Sequence, residues 1–99
     1  MLRMAFKQRL SKHDRYVLEL RDKIRHRYDS ISVNVKVAGK KRSLDLVARK
    51  GKKVDLYEVK CSHRIVKARK QLNRMRRLMN MEKSGAYFYC GSSGMLVSV

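Results

Sequence analysis

Two acidic residues and one lysine stand at a spacing that suits metal-assisted chemistry. Asp45 and Glu58 each lie within an apolar stretch, and Lys60 follows Glu58 by two residues. A carboxylate in such a stretch is costly unless something pairs with it. Two carboxylates suit Mg²⁺, which leaves its other positions to water and phosphate. The ion would lower the pKa of a water that Lys60 helps to deprotonate, so these residues predict hydrolysis of a phosphate ester.

A tight hairpin brings the two acids together in only one register. If the loop is Gly51-Lys52, glycine holds the first central position of a type II′ turn, and Asp45 falls opposite Glu58. Ser43 then falls opposite Lys60, and all four side chains share one face. A loop one residue longer would separate the acids onto opposite faces. The alternative is a solvated ion pair of Glu58 with Lys60 on an edge strand.

The net charge points to a polyanionic partner. Lys and Arg total 26 against 8 Asp and Glu, which gives a formal charge of +18. Such an excess repels itself in a compact chain, and nucleic acid relieves it because each neutralised phosphate releases a counterion. An anionic membrane surface is the weaker alternative. Charge alone does not say whether the protein cuts what it binds.

Apolar periodicity predicts seven elements in one α/β domain over 1–99. Val17, Leu20 and Ile24 recur at helical steps, whereas the apolar residues of 31–37 alternate as in a strand with one buried face. The predicted helices cover 14–28 and 64–81, and the predicted strands cover 31–37, 42–49, 53–60, 84–90 and 95–99. Residues 1–12 are either a basic arm or an extension of the first helix. The helix between the third and fourth strands allows a right-handed crossover, so we expect a mixed central sheet flanked by helices.

The two cysteines indicate a reducing compartment. Cys61 and Cys90 form no CxxC pair, and we interpret them as reduced thiols in a cytoplasmic protein that is not secreted. Parallel third and fourth strands would nevertheless place both at one end, where a disulfide becomes possible. No apolar run reaches membrane-spanning length, so we expect no membrane partner.

The stretch 43–62, SLDLVARKGKKVDLYEVKCS, resembles the PD-(D/E)XK nuclease superfamily, which has the restriction-endonuclease-like fold. Within it the chain is most similar to archaeal Holliday junction resolvases, whose V-x-V-A-G segment corresponds to 35–39. The form Leu44-Asp45-Leu46 is also similar to a family of small bacterial endonucleases. The resemblance covers about 14–90 and is specific at 35–62. No proline precedes Asp45, and a basic segment over 40–43 replaces the Gly-Ser-rich loop of the resolvases.

The resemblance implies an α-β-β-β-α-β core and DNA phosphodiester hydrolysis that depends on Mg²⁺ or Mn²⁺. Asp45 and Glu58 would be metal ligands, with the Val59 carbonyl as a third, and Lys60 would be the catalytic lysine. Many members add a glutamate on the first helix, for which Glu19 is the best match. Asp14 and Asp22 on the same helix are alternatives for this acid. Glu19 could instead be an exposed residue that forms ion pairs on the helix surface.

The resemblance and the charge together suggest which residues contact DNA. Gln71 would lie near the site, although a surface amide is the alternative. The other candidate contacts are Lys40, Lys41, Arg42, Ser43, Arg64, Lys67, Lys70 and Arg74.

The expected partner is branched or junction DNA, bound by a homodimer because a four-way junction is cut symmetrically. Apolar surface for the dimer would come from 95–99 or 87–89. A catalytically silent nucleic-acid-binding protein on the same fold is the main alternative, and a basic RNA-binding protein is another. The latter would leave two buried carboxylates unexplained.

Overall fold

Two helices and a five-stranded sheet form the described part of the chain, residues 10–36 and 43–99 of a computed structural model. The elements, in chain order, are α1 (Lys12–Ile24), a 3₁₀ turn (Arg25–Arg27), β1 (Ser30–Lys36), β2 (Ser43–Lys50), β3 (Lys53–Lys60), α2 (Ile65–Leu78), β4 (Gly85–Cys90) and β5 (Met95–Ser98). This order confirms the predicted α/β arrangement. No helix in these ranges is long and apolar enough to cross a membrane.

The sheet has the strand order β1-β2-β3-β4-β5 and is mixed. Only β3 and β4 run parallel, joined by α2 as the predicted crossover requires, and the other neighbours are antiparallel. Lys60 pairs with Cys90 at the carboxyl ends of the parallel strands. Cys61 and Cys90 both carry free thiols, so the disulfide that the topology allows is not formed.

Each helix covers one face of the sheet and builds its own apolar cluster there. Val17, Leu20 and Ile24 of α1 pack with side chains from β2, β3 and β4. Ala68, Leu72 and Met75 of α2 pack on the opposite face. Both clusters are buried, which explains why β2 and β3 carry apolar residues on both sides.

The hairpin between β2 and β3 adopts the predicted register. Lys50 pairs with Lys53, and the ladder continues without a slip to Leu46 and Tyr57. Gly51 has φ +58°, which suits the first central position of the expected turn. Strands β2 and β3 are therefore aligned by the geometry of the turn that joins them.

In β1 and β2, the alternation of side chains between the two faces of the sheet is interrupted next to Asp45. Ile31 packs on the α1 side and Val35 on the α2 side, although a regular strand would place both on one face. Between them Asn34 has φ +53°. On β2, Leu44 faces α2 and Leu46 faces α1 in the same way. The prediction of one buried face for 31–37 was therefore wrong, because a left-handed residue interrupts the pleat.

Local capping sets the helix ends. The Ser11 hydroxyl accepts the Asp14 N–H and starts α1. At the end of α2, Asn80 has φ +55° and the Met81 N–H donates to the Arg76 carbonyl, as in a Schellman motif. The second helix therefore stops at Leu78, before the predicted end at 81.

Candidate active site

Where the backbone pairing of β2 and β3 ends, the Asp45 side chain accepts a hydrogen bond from the backbone of β3. Beyond Leu46 and Tyr57 no further pair continues the ladder between these strands. There the Val59 N–H donates to Asp45 Oδ2 over 2.8 Å instead of to a backbone carbonyl. Asp45 is 7% exposed. The opening between the strands thus fixes a buried carboxylate beside the backbone of the E-x-K segment.

Glu58 is a buried carboxylate with an incomplete set of partners. Its side chain is 2% exposed, and Oε2 lies 3.1 Å from Lys60 Nζ. Oε1 has no hydrogen-bond partner among the described residues. Burial and then the nearby charge of Asp45 raise the pKa of Glu58 to about 8. Two carboxylates therefore lie close together, although the direct Asp45–Glu58 and Ser43–Lys60 pairs that the sequence predicted are not formed, because the ladder ends at Leu46 and Tyr57.

Lys60 is held in place by Gln71 from the second helix. Lys60 Nζ donates to Gln71 Oε1 over 3.2 Å. Gln71 Nε2 in turn donates to the Ser43 carbonyl over 3.4 Å, which ties α2 to the start of β2. The structure therefore brings Gln71 and Ser43 to the site, and the amide positions the ammonium group next to Glu58.

His13 is the site residue that the sequence reasoning missed. Its Nε2 lies 3.2 Å from Asp45 Oδ2 and 3.1 Å from the Val59 carbonyl, and its Nδ1 lies 3.3 Å from Asp14 Oδ1. Burial by itself would lower the pKa of His13, but the Asp45 and Asp14 carboxylates outweigh it and raise the pKa above 6.5. The available signal was the apolar stripe of α1, because His13 precedes Val17 by one helical step of four residues.

The helix acids predicted to support the site lie elsewhere or act indirectly. Glu19 Oε1 accepts the Tyr89 hydroxyl over 2.6 Å. Asp22 pairs with Arg21 and Arg25 at the surface. Among the three candidates only Asp14 reaches the site, through its contact with His13.

Four of the predicted DNA contacts are exposed cations that follow one helix. Arg64, Lys67, Lys70 and Arg74 lie at or along α2 and are exposed to solvent. Lys67 and Arg74 flank Gln71 at steps of four and three residues, so they share the side of α2 that faces the site. The predicted contacts Lys40, Lys41 and Arg42 lie outside the described residues.

The donor set suits a hard divalent ion. Two buried carboxylates, one with an oxygen lacking a partner, lie close to the Val59 carbonyl, and oxygen donors of this kind suit Mg²⁺ or Mn²⁺. Residues 10–36 and 43–99 contain no group of three or more His, Cys, Asp or Glu side chains gathered as a metal site. The candidate site therefore depends on a backbone carbonyl as well as on side chains.

Comparisons with protein-family models, with curated proteins and with solved structures found no match for this chain.

Proposed function

We propose that this protein is a metal-dependent endonuclease of the PD-(D/E)XK type that hydrolyses phosphodiester bonds in DNA. One observation carries the proposal: the buried Glu58 carboxylate leaves an oxygen without a partner beside a second buried carboxylate, Asp45. Like charges in such a place oppose folding unless a cation joins them. The adjacent lysine and the +18 charge of the chain match a phosphate substrate.

Asp45, Glu58 and the Val59 carbonyl would hold Mg²⁺ or Mn²⁺. When bound, the ion supplies Lewis acidity at a phosphate oxygen and lowers the pKa of a water. Lys60 orients the attacking water and offsets negative charge that develops at the phosphate. Gln71 offers the Lys60 ammonium group a second acceptor at 3.2 Å, besides Glu58 at 3.1 Å, and so restricts its position.

His13 takes the place that the resemblance assigned to Glu19. Its Nε2 lies between the two oxygens that would share the ion, at 3.1 and 3.2 Å from them. A neutral His13 ring would be a further donor to an ion that these oxygens hold. Asp14 orients the ring through Nδ1, as carboxylates often do for ligating histidines.

Branched DNA bound by a homodimer is the specialisation that we propose. Of the two apolar segments considered for the dimer, 87–89 is unsuitable because Phe88 and Tyr89 are buried in the core. Met95 and Leu96 of β5 are exposed and lie on an edge strand of the described sheet. Light scattering at micromolar concentration, with and without junction DNA, tests this; a monomer in both samples contradicts it.

One cleavage assay tests the proposed chemistry. Purified protein is incubated with a synthetic four-way junction, linear duplex, single-stranded DNA and structured RNA, each with Mg²⁺, Mn²⁺ or EDTA. We expect DNA products only with metal, and none from Asp45→Asn. Asp22→Asn is the matched control, because this exposed acid on α1 contacts only surface arginines. Cleavage in EDTA, or by Asp45→Asn, refutes the mechanism; binding without cleavage favours the catalytically silent alternative.

A further inference from the structure

A shallow hollow at the start of α2 combines apolar surface with positive charge. Its volume is about 600 Å³, and its lining consists of His63, Arg64, Ile65, Val66, Lys67 and Lys70. Val66 is 58% exposed, more than any other large apolar side chain of the described residues. The core does not need Val66, because α2 packs through its opposite side.

The lining limits the chemistry of what can bind there. Three of the six side chains are cationic, so the occupant is expected to carry negative charge at its rim. Val66 and Ile65 add apolar contact, which a phosphate alone would not use. A nucleotide has both parts, a flat base and a phosphate.

His63 supplies a ring at the edge of this hollow. The ring packs edge-on against Phe88, with centroids 5.8 Å apart, which restricts its orientation. The residue is nevertheless exposed to solvent. Proteins that bind unpaired nucleotides stack bases on rings of this kind and place cations along the backbone.

The hollow lies close to the proposed cutting site along the chain. His63 follows Lys60 by three residues, which span at most about 11 Å. Neighbouring phosphates on one strand are separated by about 3.4 Å along a duplex axis. A strand held at Lys60 would therefore reach the hollow within a few nucleotides.

We propose that this hollow binds an unpaired nucleobase of the strand that is cut, and that the protein therefore prefers DNA with single-stranded or frayed segments to closed duplex. In a closed duplex the bases are paired and stacked, and only phosphates reach the hollow. The inference rests on the proposed function for the position of the strand, and it adds a substrate class to it.

The experiment measures binding without cleavage. Wild-type protein in EDTA is titrated into a single-stranded oligonucleotide and into the matching closed duplex, both carrying 2-aminopurine, and affinity is followed by fluorescence anisotropy. We expect tighter binding to the single strand, with a change in 2-aminopurine emission on stacking. Val66→Ser and His63→Ala are each expected to reduce the preference for the single strand about tenfold.

Leu78→Ser is the matched control, because Leu78 is 41% exposed on the same helix but lies at its other end. Equal affinity of the wild type for both DNAs overturns the inference, and so does an equal effect of Val66→Ser and Leu78→Ser. Because no metal is present, this result is independent of whether the protein cuts DNA. If the protein prefers the single strand but never cleaves DNA, the nuclease proposal is refuted and the base-binding proposal stands.

Discussion

Two buried carboxylates on the same strand meet different surroundings. Asp55 and Glu58 are 3% and 2% exposed, and each leaves one oxygen without a partner among the described residues. Asp55 Oδ2 accepts the Tyr28 hydroxyl over 2.6 Å, and the Tyr57 hydroxyl lies 2.6 Å from that of Tyr28. Glu58 has a second carboxylate beside it instead.

This comparison separates a structural acid from a candidate ligand. The Tyr28 hydroxyl donates to one oxygen of Asp55, and burial together with this carboxylate raises the pKa of Tyr28. Glu58 has a second carboxylate, Asp45, beside it and the Lys60 ammonium group at 3.1 Å. Burial alone therefore does not distinguish the two acids; the groups that surround each carboxylate do.

The largest expected effect is on cleavage by Glu58→Gln. Loss of one carboxylate from the ion-binding set should reduce the rate about a thousandfold, since Lewis-acid stabilisation supplies several kcal/mol. Single-turnover kinetics with a labelled junction measure it. Asp55→Asn, three residues away on β3, should cleave at close to the wild-type rate. Equal losses in both variants would erase the distinction between the two acids.

The stability of metal-free protein should depend on pH through Glu58. Its pKa is raised from 4.5 to about 8 in the folded state, so this contribution to stability is complete below pH 4.5 and is lost as the pH rises towards 8. We expect the free energy of unfolding in urea with EDTA to fall by a few kcal/mol over this window.

Two additions sharpen the pH experiment. Saturating Mn²⁺ should restore stability at pH 8, because it binds only the folded site. Glu58→Gln should show a much flatter profile than wild type, whereas Asp55→Asn should keep the wild-type slope. A slope that Glu58→Gln leaves intact would mean that another group titrates.

Tyr28→Phe tests the structural half of the comparison. It removes the hydroxyl that donates to buried Asp55, which should destabilise the fold by about 1–3 kcal/mol. Urea unfolding measures this loss, and cleavage below the transition should stay near wild type. Tyr16→Phe is the control, since its ring lies against Gly91, away from Asp55. A Tyr28→Phe protein that is fully stable but fails to cleave would reverse the assignment.

The smallest expected effect is on metal affinity in His13→Ala. Removing a donor near Asp45 and Val59 should weaken Mn²⁺ binding about tenfold, measured by calorimetry. His26→Ala is the control, because this exposed histidine lies in the turn after α1. Tighter Mn²⁺ binding in His13→Ala would identify the ring as a competitor of the ion rather than a ligand.

The parts that sequence reasoning predicted are those governed by local patterns. Helical and alternating periodicity identified the element order, and Gly51 identified the hairpin register that runs from Lys50 and Lys53 to Leu46 and Tyr57. The face switch at Asn34 escaped because a left-handed residue leaves no trace in an alternating pattern. His13 was missed because it contacts Val59, which lies 46 positions away in the sequence. Glu19 was chosen for the site from its place on α1, but its carboxylate accepts a hydrogen bond from Tyr89 instead.

The interruption shared by β1 and β2 also restricts how these strands can assemble. In an ordinary antiparallel pair, a shift of two residues in the register returns every side chain to its original face. Burial of the apolar face therefore does not select against such a shifted register. In this pair, a shift of two residues would place the left-handed residue Asn34 opposite a regular part of β2 and would bury polar atoms among apolar side chains. Misaligned forms are thereby disfavoured during folding, and the only well-matched alignment is the one that keeps the interruption level with Asp45.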